Sequence, residues 1–158
     1  MTWLKINHIE NSAERHKISL IQCSPALLAT CVQEIKASGY PVVDVGFEMA
    51  TFISTLSSHR YLTLDVHEHF NTLVSNYSFT TRSNGDPAVI LYNIGILLEP
   101  ELMLNVSHLL KETGRNYQVY MVWEGVAQPD GLLTWSSDEI NYSINLNHIP
   151  IKIQHYAI

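Results

Sequence analysis

The feature that most constrains the fold of this chain is an uninterrupted apolar run, Ala88-Val89-Ile90-Leu91-Tyr92. Continuous hydrophobicity, without alternating polar residues, is typical of a strand that is buried on both faces of a parallel sheet. A sheet of that kind has helices packed on each face. The run therefore predicts an α/β fold in which this segment is a central strand.

Strand-like and helical segments alternate on either side of this run. Short β-branched runs predict the other strands, at residues 17–22, 41–45 and 117–123. Apolar residues at helical spacing predict the helices, at residues 27–35, 47–56, 66–77 and 100–114. Such an alternation indicates a parallel sheet with helices on both faces, joined by right-handed crossovers.

Residue types at the ends of these segments support the assignment. Ser24 suits an N-cap and Pro25 the first helical position, while Gly39 suits the left-handed position past a helix end. The last predicted helix opens at Pro100 and ends at Gly114. Residues 126–131 are expected to form a loop, followed by short β-like pieces at residues 132–135, 142–146 and 151–154.

The length of 158 residues fits a single domain, and no repeat or linker divides it. We expect one α/β domain with a leading helix at residues 1–16, a core at 17–125 and a β-rich tail at 126–158.

The charge balance argues against direct binding of nucleic acid. Nine lysines and arginines oppose fifteen aspartates and glutamates, which gives a net charge of −6. Domains that grip a nucleic-acid backbone usually carry clustered basic residues. The charged fraction of 15% is also below the roughly 25% usual for soluble domains, which suggests a surface that faces a protein partner.

The remaining composition points to a reducing compartment. The two cysteines, Cys23 and Cys31, cannot build a disulfide scaffold and their spacing matches no zinc signature, so we expect buried free thiols. No apolar run approaches the roughly 18–20 residues needed to span a bilayer. The first residues also lack a signal-peptide pattern, and we therefore expect a cytoplasmic protein without a membrane partner.

The first strand-to-helix turn is the usual phosphate site of an α/β fold, and here it lacks phosphate chemistry. A phosphate loop, G-x-x-x-x-G-K-[ST], uses glycines for close backbone approach, a lysine for charge and a hydroxyl for magnesium. In that register Cys23 replaces the first glycine, Leu28 the second and Ala29 the lysine. Only Thr30 keeps the expected type.

The end of the central strand has lost its acidic residues as well. Tyr92 stands at the position where an aspartate would order magnesium, and Asn93 and Gly95 follow where a glutamate would act. Two interpretations fit this pattern: a nucleotide fold that has lost its chemistry, or an α/β domain that never bound a nucleotide.

Several segments together resemble a known family. They are residues 39–45 (GYPVVDV), 88–100 (AVILYNIGILLEP), the pairs Leu109-Leu110 and Arg115-Asn116, and residues 121–125 (MVWEG). In this order they resemble the small P-loop protein of type 3 BREX (bacteriophage exclusion) systems. The resemblance covers residues 17–125, with a weaker tail around Leu133-Thr134-Trp135. It implies a parallel-sheet, P-loop NTPase-like three-layer sandwich.

That family has an intact phosphate loop and an acidic third strand, whereas this sequence departs at both motifs. The resemblance therefore implies the same fold with a degenerate nucleotide site and no cofactor. It implies a non-catalytic pseudo-ATPase that scaffolds or regulates a bacterial anti-phage defence complex through protein–protein contacts. The resemblance implies that Arg115 senses a nucleotide or meets a neighbouring subunit; with no phosphate to sense, we expect it at an interface with a neighbouring subunit or a second copy.

Other residues leave two alternative functions open. Asp65, His67 and His69, together with Asp44, are the candidates for a nucleotide hydrolase or metal-dependent nuclease with unconventional residues. On a helix, however, two histidines one residue apart diverge by about 200°, so we expect no metal site there. The second alternative is an adaptor that contacts DNA only inside its complex.

Two aromatic residues are further interface candidates. Trp135 and Tyr142 lie in polar segments, where exposed aromatic side chains can anchor a partner protein. Packing beneath a loop is the other interpretation for either side chain.

Overall fold

A computed structural model of the protein describes residues 18–81, 85–134, 143–147 and 149–156, with a mostly parallel sheet at its centre. The strands are β1 (Ile18–Gln22), β2 (Val43–Asp44), β3 (Phe79–Thr80), β4 (Pro87–Tyr92), β5 (Gln118–Trp123), β6 (Val126–Ala127), β7 (Leu132–Thr134), β8 (Ser143–Asn145) and β9 (Ile151–His155). The helices are α1 (Leu28–Ala37), α2 (Val45–Thr55), α3 (Leu62–Tyr77) and α4 (Val106–Asn116). Short 3₁₀ turns lie at Pro25–Leu27, Ile94–Leu98 and Pro100–Leu102.

Five strands of the central sheet lie in the order β2-β4-β5-β1-β9, and each neighbouring pair is parallel. The sixth strand, β3, pairs antiparallel with the start of β4 and was not predicted. A smaller antiparallel sheet contains β6, β7 and β8. The apolar run forms β4, which is fully buried from Ala88 to Leu91 and confirms the predicted central strand.

Alternate side chains of the central strands enter two apolar clusters, one on each face of the sheet. On one face, Ile21 and Ile90 pack with residues of α1. On the other, Leu20 and Met121 pack with residues of α2, α3 and α4. The predicted α/β architecture, a parallel sheet between helices, is confirmed.

Asp44 determines where the second strand ends and α2 begins. Its Oδ1 atom accepts a hydrogen bond from the backbone N–H of Phe47 at 2.9 Å. This N-cap satisfies a donor of the first helical turn, so the helix starts at Val45. The strand predicted at residues 41–45 is therefore only Val43–Asp44, and the predicted helix at 47–56 begins two residues earlier.

The helix predicted between Pro100 and Gly114 is wrong at both ends. Pro100 opens only a 3₁₀ turn, which ends at Met103 in a left-handed conformation with φ of 51°. Asn105 then caps α4 by accepting a hydrogen bond from His108 N at 3.1 Å. Gly114 is a buried residue inside α4, which continues to Asn116.

Other predicted boundaries differ by smaller amounts. α3 begins at Leu62 rather than Val66, and the predicted loop at 126–131 contains β6. Gly39 has φ of +93°, as its place beyond α1 predicted. The three predicted pieces of the tail are present as β7, β8 and β9, and β9 joins the central sheet. The predicted leading helix lies outside the described residues.

Candidate functional site

The carboxyl ends of β1, β5 and β9 meet at one edge of the sheet around a cleft of about 310 Å³. The connection from β1 to β2 passes through α1 on one face of the central sheet. The connection from β5 to β9 passes through the smaller sheet on the opposite face. Open parallel sheets bind ligands at such a topological switch point. We call it the switch-point cleft, and its lining includes Cys23, Ser24, Glu124, Gly125, His155 and Tyr156.

Most N–H groups of the first turn, between β1 and α1, donate hydrogen bonds within the protein. Cys23 N donates to Trp123 O at 2.9 Å, and Leu27 N donates to Ser24 O at 3.0 Å. Leu28 N donates to Pro25 O, and Pro25 itself has no N–H. A phosphate loop instead points successive free N–H groups at its anion. This turn is therefore largely closed by internal hydrogen bonds: only the separated N–H groups of Ser24 and Ala26 are left unbonded within it, not a successive set.

The predicted phosphate-loop positions do not converge on the cleft. Cys23 lines it, whereas Leu28 packs on the apolar cluster beneath α1. Ala29 and Thr30 are exposed in the first turn of α1. The hydroxyl of Ser24, at the predicted N-cap, makes no capping hydrogen bond.

The charge of the cleft also disfavours a triphosphate. No lysine or arginine is among the described residues that line it, whereas the carboxylate of Glu124 is. Phosphate groups are normally held by cationic side chains or free backbone N–H groups. The described lining of the cleft therefore offers a phosphate group no lysine or arginine.

Cys23 and Cys31 form a hydrogen-bonded thiol pair at the base of the first turn. Both are buried and free, as predicted from their spacing. A hydrogen bond from Cys31 lowers the pKa of Cys23, whereas the same bond and burial raise the pKa of Cys31. Cys23 is therefore the thiol of the pair that ionises first.

A second polar cluster closes the carboxyl ends of β2 and β4. Besides capping α2, Asp44 accepts hydrogen bonds from Asn93 Nδ2 at 2.9 Å and from Tyr92 Oη at 3.1 Å. Burial, and then the hydrogen bond to Asp44, raise the pKa of Tyr92 to about 12. We call Asp44, Tyr92 and Asn93 the Asp44 network. This network lies at the end of β4, where the sequence has Tyr92 in the position of a magnesium-ordering aspartate.

Two features of the neighbouring backbone, at Asn93 and Gly46, accommodate the Asp44 network. Asn93 is left-handed with φ of 57°, and its side chain lies against Gly46. A methyl group at Gly46 would come within 2.8 Å of Asn93 Cγ. Gly95 lies in the following 3₁₀ turn, Ile94–Leu98. Tyr92 and Asn93 therefore have structural contacts in place of metal chemistry.

The histidine candidates lie on α3 and diverge as expected. The ring of His69 stacks on Phe52 of α2 at a centroid distance of 3.9 Å, while His67 faces the start of α4. Burial lowers the pKa of His69. Among the described residues, no three histidine, cysteine or acidic side chains are grouped closely enough to hold a metal. Asp65, Asp44 and the two histidines are thus not gathered into one group of that kind.

Of the three interface candidates, the structure describes only Arg115. Arg115 is exposed near the end of α4, beside the amino-terminal end of β5, so it lies at the edge of the sheet opposite the switch-point cleft. A role for Arg115 in sensing a nucleotide is incompatible with that position. Trp135 and Tyr142 lie outside the described residues.

Sequence reasoning missed four residues of the cleft: Gln22, Glu124, His155 and Tyr156. Gln22 Nε2 donates to Gly125 O at 2.8 Å, and Tyr156 N donates to Gln22 O at 2.7 Å. The first contact follows from the pairing of β1 with β5, where Gln22 lies opposite Trp123, and the second from the pairing of β1 with β9, where Gln22 lies opposite His155. Ile151 and Ile153, on either side of Lys152, signalled a strand, but nothing in the sequence specified its partner.

No protein-family model, curated protein or solved structure matches this chain. Its function is therefore inferred from the geometry of its own residues. None of the helices in the described part of the chain is both long enough and apolar enough for a bilayer crossing.

Proposed function

We propose that this chain is a non-catalytic, P-loop-like subunit that scaffolds or regulates a bacterial anti-phage defence complex through protein–protein contacts. The sequence resemblance over residues 17–125 supports the defence-complex part, and the observation that carries the loss of nucleotide chemistry is the closed first turn. The N–H groups of Cys23, Leu27 and Leu28 are engaged within the fold, and Pro25 has none. A phosphate group would find only the separated N–H groups of Ser24 and Ala26 free in this turn, and no lysine or arginine among the described residues that line the cleft.

The strand order supports the P-loop-like part of the proposal. β5 lies between β1, which leads into the first turn, and β4, whose end would carry the acidic residue. The first turn thereby lies at a topological switch point of the sheet, which is where nucleotide-binding α/β folds hold their ligand. The closed turn then lies where a phosphate loop would be, and the Asp44 network lies where the acidic residue of the central strand would be.

Calorimetric titration of the full chain with Mg·ATP, up to millimolar concentration, tests the loss of nucleotide binding. We expect no binding and no hydrolysis above background. Micromolar affinity would contradict the proposal and favour an ATP hydrolase with unconventional residues. A stoichiometric transition metal that is lost on His67→Ala would favour the metal-dependent nuclease.

The assembly part of the proposal needs a separate measurement. Co-expression with the products of neighbouring genes, followed by size-exclusion chromatography, should give a stable complex. A chain that elutes alone from every pairing would contradict the scaffolding role. DNA binding that appears only in such a complex would identify the adaptor alternative.

A further inference from the structure

Two thiols meet at the base of the first turn, although they are eight residues apart in the sequence. Cys23 is the first residue after β1, and the hydrogen bond from its N–H to Trp123 O at 2.9 Å fixes its backbone. Cys31 is the fourth residue of α1, on the side that packs against the sheet. Because the side chains of a helix tilt towards its amino terminus, Cys31 reaches back to Cys23 and the two thiols share a hydrogen bond.

The two thiols differ in their access to solvent. Cys23 is among the residues that line the switch-point cleft of about 310 Å³, and 5% of its surface is exposed. Cys31 is fully buried in the apolar cluster between α1 and the sheet. A small reagent that enters the cleft therefore reaches Cys23 first, with Cys31 behind it.

The contact between the thiols also makes their chemistry unequal. The hydrogen bond from Cys31 lowers the pKa of Cys23, and this effect outweighs burial and the nearby carboxylate of Glu124, which both raise it. The same bond and burial raise the pKa of Cys31. Since the thiolate is the nucleophilic form of cysteine, the thiol that lines the cleft is also the more reactive one.

We propose that Cys23 is a site of reversible oxidation by hydrogen peroxide and that Cys31 is its resolving thiol. A solvent-accessible thiol next to a second cysteine is the arrangement typical of redox-sensing cysteines. Inert structural cysteines, in contrast, are enclosed by apolar surroundings, as Cys31 is. The small exposed fraction of Cys23 favours hydrogen peroxide over a bulkier oxidant. The inference goes beyond the proposed function and does not depend on it.

The oxidation takes two steps. The Cys23 thiolate attacks one oxygen of hydrogen peroxide, the O–O bond breaks, and the departing hydroxide takes a proton from solvent and leaves as water. The sulfur atom loses the two electrons that reduce the peroxide and becomes a sulfenic acid. Cys31 Sγ then attacks the Cys23 sulfur atom, an S–S bond replaces the S–O bond, and the released hydroxide takes the Cys31 proton to form a second water.

The hydrogen bond between the thiols prepares the second step. Because the sulfur atoms are already in contact, an S–S bond of about 2.05 Å requires them to close only the remaining gap. The disulfide would join the end of β1 to α1 beside the switch-point cleft. A small-molecule thiol in excess can exchange with it and restore both cysteines.

Mass spectrometry of the full chain tests the proposal. Trypsin cleaves after Lys17 and Lys36, so one peptide, 18–36, carries both cysteines. The folded, reduced protein is treated with hydrogen peroxide, denatured, blocked with N-ethylmaleimide and digested without reductant. We expect this peptide to lose two hydrogen atoms and to take up no N-ethylmaleimide, and we expect dithiothreitol to reverse the change.

Two variants assign the roles of the thiols. Cys31→Ser removes the resolving thiol but keeps a hydroxyl donor, so peroxide should leave on Cys23 a sulfenic acid that dimedone labels. In Cys23→Ser, the buried Cys31 should be oxidised about tenfold more slowly, or slower still. The matched control is the same pair of variants in urea, where both single thiols are exposed and should react at similar rates. Circular dichroism melts report whether both variants fold, and the wild-type measurement needs no substitution.

Four results would overturn the proposal. The first is a peroxide-treated wild-type chain in which both thiols still react with N-ethylmaleimide, and the second is a disulfide that links two chains. The third is oxidation of Cys31 in Cys23→Ser as fast as that of Cys23 in Cys31→Ser. The fourth is a sulfinic acid on Cys23 of the wild type while Cys31 stays free, because Cys31 would then not be the resolving thiol. No nucleotide enters these measurements, so their failure is distinguishable from failure of the pseudo-ATPase assignment.

Discussion

Replacing Asp44 with alanine is expected to lower the free energy of unfolding by about 2–3 kcal/mol. Asp44 Oδ1 caps α2 through Phe47 N, and losing such a cap costs about 1 kcal/mol. Asp44 Oδ2 accepts the Tyr92 hydroxyl, and leaving a half-buried hydroxyl without its partner costs about 1–2 kcal/mol. The amide of Asn93 also loses its acceptor, but Asn93 is exposed and can bond to water.

Urea unfolding at neutral pH measures this loss, with Asp44→Asn as the matched variant. An asparagine keeps a side-chain oxygen that can cap α2, but it loses the charge that strengthens the bonds from its other donors. We therefore expect Asp44→Asn to lose about half as much stability as Asp44→Ala. At about 2–4 °C per kcal/mol for a domain of this size, the Tm of the alanine variant should fall by about 5–10 °C.

The same measurement separates a structural carboxylate from a functional one. Carboxylates kept for catalysis or metal binding are often held at a cost in stability, so that their removal leaves the protein equally or more stable. An Asp44→Ala protein within about 0.5 kcal/mol of the wild type would refute the structural role. Asp44 would then return to the candidates for an active enzyme.

Three further variants test the carboxyl edge of the sheet. Gly46→Ala should lower Tm although alanine favours a helix, because the new methyl group displaces Asn93; a higher Tm would contradict the packing. Since the pKa of Tyr92 is raised to about 12 in the folded chain, its protonated form stabilises the fold below about pH 10, and that stabilisation is lost as the pH rises towards 12. Tyr92→Phe should therefore reduce the alkaline loss of stability in urea unfolding between about pH 10 and 12, and an unchanged slope would disprove the assignment. The double substitution Leu28→Gly and Ala29→Lys should not create ATP binding in calorimetry, because the turn keeps its internal hydrogen bonds; micromolar binding would show that side chains alone had closed the site.

The parts of the fold that local patterns specify could be predicted from the sequence. The apolar run at Ala88–Leu91 required burial on both faces, and a parallel sheet between helices is the arrangement that provides it. Helical periodicity placed α2 and α3 but not their starts. The start of α2 depends on Asp44, whose cap matters more than the apolar period. The cap at Asn105 likewise sets the start of α4. Pro100, which the sequence suggested as the start, opens only a 3₁₀ turn.

The site depends on long-range pairing, which local patterns do not encode. His155 and Tyr156 reach the switch-point cleft only because β9 pairs with β1, more than a hundred residues earlier in the chain. Likewise, the missing aspartate at Tyr92 could be predicted from the sequence, but its hydrogen bond to Asp44 could not. A lost motif predicts the absence of a ligand, whereas the contacts that replace it become visible only in the fold.

The hydrogen bonds that take the place of nucleotide contacts restrict the ways in which the protein could be regulated. In a nucleotide-binding α/β fold, the bound phosphate helps to order the first turn and the end of the acidic strand, so the ligand stabilises the folded state. Here Trp123 O holds the first turn, and Asp44 joins the ends of β2 and β4. The carboxyl edge is therefore ordered without a nucleotide, and exchanging one would leave its conformation unchanged. Under the proposed function, regulation then has to enter through another part of the surface, such as the one that carries the exposed apolar side chains of Leu64 and Met103.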